Sequence, residues 1–362
     1  MSESFEVHSS LRDYTVEVGA GLLDALLRAE PALHVVCDQQ MLAHWPSLAR
    51  RAGVIPVLAE EARKDLGSVA QIVESLRREG ATRGSRMLAV GGGVVQDLAT
   101  MASSIYMRGI DWVYCPTTLL GMVDSCLGGK SSINVGEFKN IAGNFYPPSR
   151  ILIDPEFCRT LPRVQRIAGL CEAAKICFCS RDEAFDHYLR LMAGADVFDD
   201  PAALVRLVSL SLRTKKDFIE QDEFDQGIRL LLNFGHTFGH ALEGASGFAL
   251  SHGVAVGVGM LAAIDFARRI GLADGSAERT GALQRHVREL LAGVPDLSRV
   301  LGAIDPEQAL RRFQSDKKHQ QGRYAVIVVN RDGFVERIQL PADSATAAHI
   351  RGTFGAVKEL VA

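Results

Sequence analysis

The stretch MLAVGGGVVQDLATMAS, residues 87–103, decides the fold of this chain. A short apolar run, typical of a buried strand, leads into three glycines, and a helix-like pattern follows them. Glycine lets the backbone approach a phosphate closely, and the N-terminus of the helix supplies N–H groups and a partial positive charge. The stretch predicts a nucleotide-binding strand, loop and helix, although GGGxxxD differs from GxGxxG and a tight turn without a ligand has the same pattern.

Other β-rich runs lie on both sides of this unit and alternate with helical patterns in the first half of the chain. A helical segment, SVAQIVESLRREG (68–80), ends at a glycine that is a plausible helix stop. Asp38 directly follows one run, where its carboxylate can accept from a ribose hydroxyl or simply cap a turn. Strands separated by helices predict a parallel, doubly wound, Rossmann-like α/β sheet. The runs are YTVEV (14–18), HVVC (34–37), VIPVL (54–58), MLAV (87–90) and WVYCP (112–116).

Helical patterns dominate from Asp154 to about residue 315, and the turn-rich YPPSR (146–150) precedes this change. We therefore expect two domains, an α/β domain at 1–155 and an all-α domain at 156–362. A late alternating pair, YAVIVV and GFVERIQL, is separated by NRDG and predicts a hairpin near the C-terminus.

Composition excludes several classes of protein. The net charge of -3 gives no basic field for nucleic acid or for a membrane surface. No apolar run reaches the roughly 18 residues of a membrane span, and the N-terminus does not resemble a signal peptide. Seven cysteines, an odd number, suggest a reducing, cytoplasmic compartment. Cys171, Cys177 and Cys179 lack paired CxxC spacing, which favours buried thiols over a zinc knot.

The stretch PTTLLGMVDSCLGGKSSINVGEFKN (116–140) is broken by glycines and contains Asp124, Lys130, Lys139 and Asn140. Two lysines and an aspartate after a nucleotide loop suggest an oxygen-rich anionic substrate. A solvated loop is the alternative, but the apolar LLGMV makes it less convincing.

Three of the ten histidines lie between residues 230 and 257. His236 and His240 are one helical turn apart, and Arg229 and Asn233 would extend the same face into a polar stripe. A helix would bury such a stripe only for function, although a lone histidine on an apolar face is usually a satisfied core residue.

A zincin-type pair is poorly supported here, because HTFGH lacks the glutamate of HExxH. His252 lies after a turn-like segment and could fold back beside the stripe. A divalent ion would also need a carboxylate, and Glu172 in the apolar helix GLCEAAK is a candidate, since an unpaired buried glutamate is costly.

Together the motifs resemble the dehydroquinate synthase family of sugar phosphate cyclases from about residue 60 to 320. The motifs, in order, are GGGVVQDLA, YMRG, PTTLL, VDSCLGGK, KN, GLCEAAK, GIRLLLNFGHTFGHALE, SHG and DKK. The resemblance implies an NAD-binding α/β domain, a helical metal-binding domain and an active site in the cleft between them. It implies Glu172, His236 and His252 as ligands of a divalent metal, usually zinc with cobalt possible, and leaves His240 on the substrate side.

The resemblance also assigns the cofactor and substrate positions. The NAD positions are Asp38, Glu61, Lys64, Gly91, Gly92, Gly93, Asp97, Thr117, Thr118, Lys139 and Thr160. The catalytic positions are Arg108, Asp124, Lys130, Asn140, Lys175 and His240, and the substrate-binding positions are Lys215, Arg229, Asn233, Lys317 and Lys318. Cations are frequent in this set, which suits a substrate with a phosphate and a carboxylate.

The implied function is that of a 3-dehydroquinate synthase, a carbon-oxygen lyase that converts 3-deoxy-D-arabino-heptulosonate 7-phosphate to 3-dehydroquinate and phosphate. In the family reaction NAD is reduced and regenerated within each turnover. The resemblance also implies a homodimer.

Three alternatives remain open. One is a sister cyclase acting on sedoheptulose 7-phosphate or glucose 6-phosphate, another is an NAD- and metal-dependent polyol dehydrogenase, and the last is a non-catalytic binding subunit. The chain departs from the family pattern at Gln96, at Thr100, at the two serines after GGK and at Val254. The retained Arg229, Asn233 and His240 favour the branch that acts on the carboxylic acid.

Overall fold

The structure, a computed structural model, describes residues 2–136, 138–194, 196–316, 319 and 322–362. The chain forms two compact units, each made of two separate segments. The first unit consists of Met1–Leu161 and Leu191–Glu223, and the second of Pro162–Arg190 and Phe224–Ala362. Each unit is described separately below.

The strands of the described residues fall into one large sheet and two hairpins. Their bounds are β1 (Glu3–Val7), β2 (Tyr14–Val18), β3 (His34–Asp38), β4 (Val54–Val57), β5 (Arg86–Gly91), β6 (Asp111–Pro116), β7 (Ile133–Val135), β8 (Phe138–Ala142), β9 (Arg150–Ile153), β10 (Arg323–Val329) and β11 (Val335–Pro341).

The helices of the described residues are distributed over both units. Their bounds are α1 (Leu22–Ala29), α2 (Met41–His44), α3 (Pro46–Ala49), α4 (Leu66–Arg78), α5 (Gly93–Ile105), α6 (Arg163–Cys179), α7 (Ala184–Met192), α8 (Pro201–Gln221), α9 (His236–Ala245), α10 (His252–Arg269), α11 (Glu278–Leu291), α12 (Leu297–Gly302), α13 (Pro306–Gln314), α14 (Ser344–Gly355) and α15 (Val357–Leu360). Among the described helices, none has the length and apolarity needed to cross a bilayer.

The large sheet lies in the first unit and has the order β1-β2-β9-β6-β5-β3-β4. Only β1 pairs antiparallel, with β2, and every other neighbouring pair is parallel. The inner strand β5 is buried from Met87 to Gly91, as expected for a parallel strand covered on both faces. The predicted α/β class with a Rossmann-like parallel sheet is confirmed. The sequence analysis did not predict β1 or β9, which are short and flank segments with turn signals.

Helix α4 shows how local sequence determines these elements. Asp65 caps its N-terminus by accepting a hydrogen bond from the Ser68 N–H at 2.7 Å. Val69, Ile72 and Leu76 are buried at helical spacing, and Gly80 follows the C-terminus with a φ of 77°. The predicted helix over 68–80 is therefore present, displaced by two residues at each end.

The division of the chain differs from the predicted domains at two places: the first boundary follows Leu161 instead of residue 155, and a later segment returns to the first unit. Helix α8 was expected in the helical domain at 156–362, but it belongs to the first unit. Ser211 donates to the Val123 carbonyl at 2.9 Å, and Lys215 contacts Asp124 in the same unit. A boundary read along the sequence cannot anticipate such a return of the chain, because the contacts that decide it are about 90 residues apart in sequence.

The second unit is mainly helical and contains the hairpin of β10 and β11, predicted from the alternating pattern and confirmed by their antiparallel pairing. Its centre is a close crossing of α9 and α10. A Cβ atom on Gly259 would lie 2.0 Å from the Gly235 carbonyl oxygen, and one on Gly239 would lie 2.8 Å from the Ala255 carbonyl oxygen. Backbones can pack this closely only where both helices present glycine.

We expect Gly259→Ala to destabilise the second unit by at least about 2 kcal/mol, since overpacking a dense core typically costs about 1 to 3 kcal/mol. Urea denaturation of the purified variant and wild type measures this difference. Gly281→Ala is the matched control, because its Cβ would meet only the flexible end of Arg285, at 3.3 Å. This control should gain up to about 1 kcal/mol from helix propensity. Equal midpoints for Gly259→Ala and wild type would contradict the close crossing.

Candidate active site

A buried carboxylate lies at the centre of the second unit. Glu172 on α6 is 0% exposed, and neither of its carboxylate oxygens has a hydrogen-bond partner among the described residues. Lys175, one helical turn later and also buried, forms an ion pair with it. An ionised carboxylate without hydrogen bonds in a dry interior is costly unless further positive charge reaches it. Glu172 is therefore suited to ligate a cation.

Two histidines approach this carboxylate, and a third lies beside them. His236 begins α9, His240 lies one turn later, and His252 begins α10. The Nε2 atoms of His236 and His252 lie 3.7 and 3.5 Å from the Glu172 Oε1. One ligand atom from each of the three histidines lies within 4.8 Å of the others.

This donor set fits a divalent metal. One carboxylate and imidazole nitrogens form a common ligand set for zinc and related borderline ions. Glu172, His236 and His252, the ligands that the sequence predicted, are thus brought together in one unit.

The second ring nitrogen of two histidines is held by an acceptor. The His252 Nδ1 lies 3.3 Å from the Glu243 Oε2, and the His236 Nδ1 lies 3.3 Å from the Phe234 carbonyl oxygen. A proton on each Nδ1 leaves the Nε2 lone pair available for a metal. The sequence analysis did not single out Glu243, although it lies in the quoted GHALE.

The charge around His252 also changes its pKa. Burial of the ring opposes protonation, but the hydrogen bond to Glu243 and the charge of Glu172 outweigh it, so the pKa of His252 is raised. A metal ion at this position would compete with protonation of the ring, because a ligating imidazole must be neutral.

The predicted polar stripe is not one helical face. Arg229 and Asn233 lie in a separate 3₁₀ helix, Ile228–Asn233, and α9 begins only at His236. Gly235 has a φ of 79°, in the left-handed region, and this turn separates the two helices. The single-helix interpretation of these residues was wrong, since the helical spacing continues across a glycine that breaks the helix. Arg229 is nevertheless buried, at 4% exposed.

The glycine loop of the first unit joins β5 to α5. A Cβ on Gly91 would lie 2.5 Å from the Val95 Cγ2, and one on Gly92 would lie 3.0 Å from the Thr118 Cγ2. A Cβ on Gly93, the first residue of α5, would meet no atom within 4 Å. The loop thus packs tightly on its inner side and leaves open space at a helix N-terminus, as a phosphate cradle requires.

A network of polar side chains follows this loop. The buried Lys64 contacts Asp97 at 3.1 Å and Glu61 at 3.4 Å, and donates to the Asn140 Oδ1 at 2.8 Å. Asn134 links the network by donating to Glu61 and by accepting from the Asn140 N–H at 2.9 Å. Four predicted site residues are therefore adjacent: Glu61, Lys64, Asp97 and Asn140. Asn134 belongs to the same network, and the sequence analysis missed it.

The other predicted positions of the first unit lie elsewhere on it. The Lys215 ammonium donates to both the carbonyl and the carboxylate of Asp124, at 2.6 Å in each case. Asp38 ends β3 and accepts from the Gln40 N–H at 3.0 Å, the turn-capping alternative named above. Arg108 is exposed and has a φ of 68°.

The remaining predicted positions differ in exposure and in packing. Lys139 and Thr160 are exposed, Thr117 is buried, Thr118 packs on the glycine loop, and the Lys130 Nζ lies 5.9 Å from the centroid of the Phe145 ring. Lys317 and Lys318 lie outside the described residues. All seven cysteines are buried, and none of them forms a disulfide.

Comparison with known proteins identifies the family. A family model described as 3-dehydroquinate synthase N-terminal matches residues 54–168, and one described as 3-dehydroquinate synthase C-terminal matches residues 169–319. The chain belongs to the 3-dehydroquinate synthase family. Its enzymes are carbon-oxygen lyases that act on a phosphate-bearing substrate, so the predicted family and enzyme class are confirmed.

Individual members of the 3-dehydroquinate synthase family align over most of the chain. The 3-dehydroquinate synthase of Xanthomonas oryzae pv. oryzae (strain PXO99A) is 37% identical over 339 residues, which cover 87% of this chain and 89% of that protein. The 3-dehydroquinate synthase of Xylella fastidiosa (strain M23) is 37% identical over 349 residues, which cover 90% and 92%.

Solved structures of sugar phosphate cyclases share the fold. The 2-epi-5-epi-valiolone synthase of Streptomyces hygroscopicus, solved with NAD+ and Zn2+, is 26% identical with a TM-score of 0.80 and covers 97% of this chain and 99% of that one. A 2-deoxy-scyllo-inosose synthase, solved with carbaglucose-6-phosphate, NAD+ and Co2+, is 21% identical with a TM-score of 0.82 and the same coverage. The second likeness supports the fold alone.

Removing the acceptor behind His252 should weaken metal binding. We expect Glu243→Ala to raise the zinc dissociation constant about 10- to 100-fold, the usual effect of losing such a partner, and Glu243→Gln to have a smaller effect because an amide oxygen still accepts. Competition with a chromogenic chelator measures the constant without reference to activity. Glu289→Ala, at an exposed position of α11, is the control. Unchanged affinity in Glu243→Ala would show that Glu243 does not orient the ligand.

Asp97 should make the stability of the protein depend on pH. Burial raises its pKa from 3.8 to about 6, although Lys64 lowers it. A carboxyl with a raised pKa binds its proton more tightly in the folded state, so it favours folding at low pH and loses that contribution as pH rises through about 6. Asp97→Asn cannot ionise, and its stability relative to wild type should improve by about 1 kcal/mol from pH 5 to pH 8. Urea midpoints at both pH values measure this change, and an identical difference at the two would refute it.

Proposed function

We propose that this chain is a 3-dehydroquinate synthase that uses NAD and a divalent metal, zinc or cobalt, and converts 3-deoxy-D-arabino-heptulosonate 7-phosphate to 3-dehydroquinate and phosphate. The observation that carries the proposal is the fully buried Glu172 carboxylate, without a hydrogen bond among the described residues, beneath His236 and His252. The 2-epi-5-epi-valiolone synthase solved with NAD+ and Zn2+ supports both kinds of cofactor.

The two cofactors are assigned to different units. We propose that Glu172, His236 and His252 hold the metal, and that the loop Gly91 to Gly93 with Asp97 holds NAD, supported by the open space at Gly93. Bound NAD would supply a hydride acceptor and donor, and a bound divalent metal a Lewis acid for an alcohol oxygen.

Further first-unit residues are proposed for the NAD site. Lys64, Glu61 and Lys139 would bind its polar groups, Thr117 and Thr118 would support the loop, and Asp38 and Thr160 would complete the site. The packing of the glycine loop on Thr118 and the contact of Lys64 with Asp97 support this assignment.

The substrate carboxylate is assigned to Arg229. Arg229 is 4% exposed, and the planar fork of a guanidinium suits a carboxylate, which accepts two parallel hydrogen bonds. Asn233 would bind a substrate hydroxyl beside it. This assignment separates the proposed reaction from that of sister cyclases, whose neutral sugar phosphates offer no carboxylate.

The phosphate and the developing negative charge require cations. Arg108 and Lys130 in the first unit and Lys175 in the second are proposed for this task, together with Lys317 and Lys318. Lys175 is buried beside Glu172, so its charge acts with little screening by water. In a chain with a net charge of -3, such local cations are needed to bind a substrate with two anionic groups.

Roles in proton transfer are assigned to three residues, Asp124, Asn140 and His240. His240 is exposed beside the metal ligands, and imidazole is the side chain best suited to relay a proton near neutral pH. Lys215 was expected to bind the substrate. Since it donates twice to Asp124, we propose instead that it holds Asp124.

A second candidate function is favoured by one observation, the likeness to 2-epi-5-epi-valiolone synthase at 26% identity and a TM-score of 0.80. Under this alternative the chain would release phosphate from a sugar phosphate that has no carboxylate.

We further propose a homodimer, as the family resemblance implies, and a cytoplasmic location, supported by seven cysteines that form no disulfide.

Phosphate release by purified protein with NAD and zinc tests the function directly. The substrates are the heptulosonic acid phosphate, sedoheptulose 7-phosphate and glucose 6-phosphate. We expect release only from the acid, and we expect Arg229→Lys to raise its KM on the order of 10- to 100-fold because a lysine cannot form the bidentate pair. Arg285→Lys on the exposed face of α11 is the matched control.

The other outcomes have defined meanings. Release only from a neutral sugar phosphate would assign the chain to a sister cyclase, and Arg229→Lys should then have little effect. No release from any of the three would support a binding protein. Turnover intact in His236→Ala would refute the metal assignment.

A further inference from the structure

Gln96 joins two elements of the first unit through a pair of reciprocal hydrogen bonds. It lies on α5, is 4% exposed, and directly precedes Asp97. Its Nε2 donates to the Ser125 carbonyl at 2.7 Å, and the Ser125 Oγ donates back to its Oε1 at 2.7 Å. Both ends of the buried amide are thus used, which a side chain that merely filled space would not require.

The partner segment, Gly121–Ser125, is a single π-helical turn. The Cys126 N–H reaches back to the Gly121 carbonyl at 3.1 Å, which is the wide hydrogen bond of this geometry. A helical segment leaves its last carbonyls without donors from its own backbone ladder. Here Gln96 donates to the Ser125 carbonyl, and Lys215 adds a side-chain donor to the Asp124 carbonyl, which also accepts from the Leu127 N–H at 3.4 Å.

These contacts restrict Asp124 from two directions. Lys215 on α8 holds its carbonyl and its carboxylate, both at 2.6 Å. Gln96 on α5 holds the next carbonyl along the chain. With two successive carbonyls fixed by different helices, the backbone between them has little freedom to rotate, and the direction of the Asp124 side chain is set.

We propose that Gln96 is a positioning residue, which acts through Ser125 to aim the Asp124 carboxylate at the substrate. The inference rests on the proposed function, in which Asp124 is a substrate-side group. It concerns a position at which the chain departs from the family pattern.

The test compares Gln96→Met and Ser125→Ala with wild type in the zinc-loaded protein. Methionine keeps the length of the side chain but neither donates to the carbonyl nor accepts as an amide does. We expect each variant to lower kcat/KM for the turned-over substrate on the order of 10-fold or more, because small displacements of reacting groups have large effects. The NAD dissociation constant, measured by calorimetry, should stay within about 2-fold, since Asp97 itself is unchanged.

Two further variants separate positioning from packing. Gln96→Glu keeps an acceptor for the Ser125 hydroxyl and loses the donor to its carbonyl, so its activity should lie between Gln96→Met and wild type. Adding Ser125→Ala to Gln96→Met should cause little further loss, because coupled groups are not additive. Gln71→Met on the exposed face of α4 is the control for the chemical change.

The inference fails if Gln96→Met and Ser125→Ala retain wild-type kcat/KM, if their losses multiply, or if the loss appears as weaker NAD binding. Should Gln96→Met fold poorly, Ser125→Ala alone carries the test, since it removes one hydroxyl and no packing volume of note. Wild-type phosphate release reports on the proposed function, and the ratio of variant to wild type reports on Gln96. The two failures are therefore distinct.

Discussion

The need to neutralise one carboxylate that has no access to water governs the second unit. Glu172 sits on a helix in which thirteen successive residues, from Ile167 to Cys179, are buried, so its charge must be compensated by other protein groups rather than by water. Lys175 comes from the same helix, whereas His236 and His252 come from α9 and α10. The close glycine crossing of those two helices is what allows both of their N-terminal residues to approach one carboxylate. The packing of α9 against α10 thus also determines which ligands surround Glu172.

In the first unit, the main constraint is that the glycine loop must bind an anion although the chain has no large positive field. The carboxyl end of β5 and the N-terminus of α5 meet at glycines, where backbone N–H groups replace charged side chains. Lys64 then provides a local cation, whose charge is shared among Asp97, Glu61 and Asn140. Lys215 likewise uses one positive charge for two contacts, because its ammonium donates to both the carbonyl and the carboxylate of Asp124.

Much of this arrangement could be predicted from sequence because its signals are local. The β-rich runs, the glycine loop and the long helices have period and turn chemistry that short windows show. What escaped prediction depends on distant contacts or on single backbone angles. The order of the sheet places β9 between β2 and β6, and Gly235 breaks a spacing that looked helical. Glu243 and Asn134 matter because of what they contact, and no periodicity marks them.

The return of α8 to the first unit has a consequence for biosynthesis. During synthesis the sheet of the first unit is complete once residue 153 has emerged, but the unit itself is closed only when Leu191–Glu223 follows. By then Pro162–Arg190, which belongs to the second unit, has already left the ribosome without its partners, because α9 and α10 lie further along the chain. Helix α6 is therefore made before α9 and α10, which bring His236 and His252 to its buried glutamate, and this order of emergence makes α6 dependent on chaperones or on rapid completion of the chain.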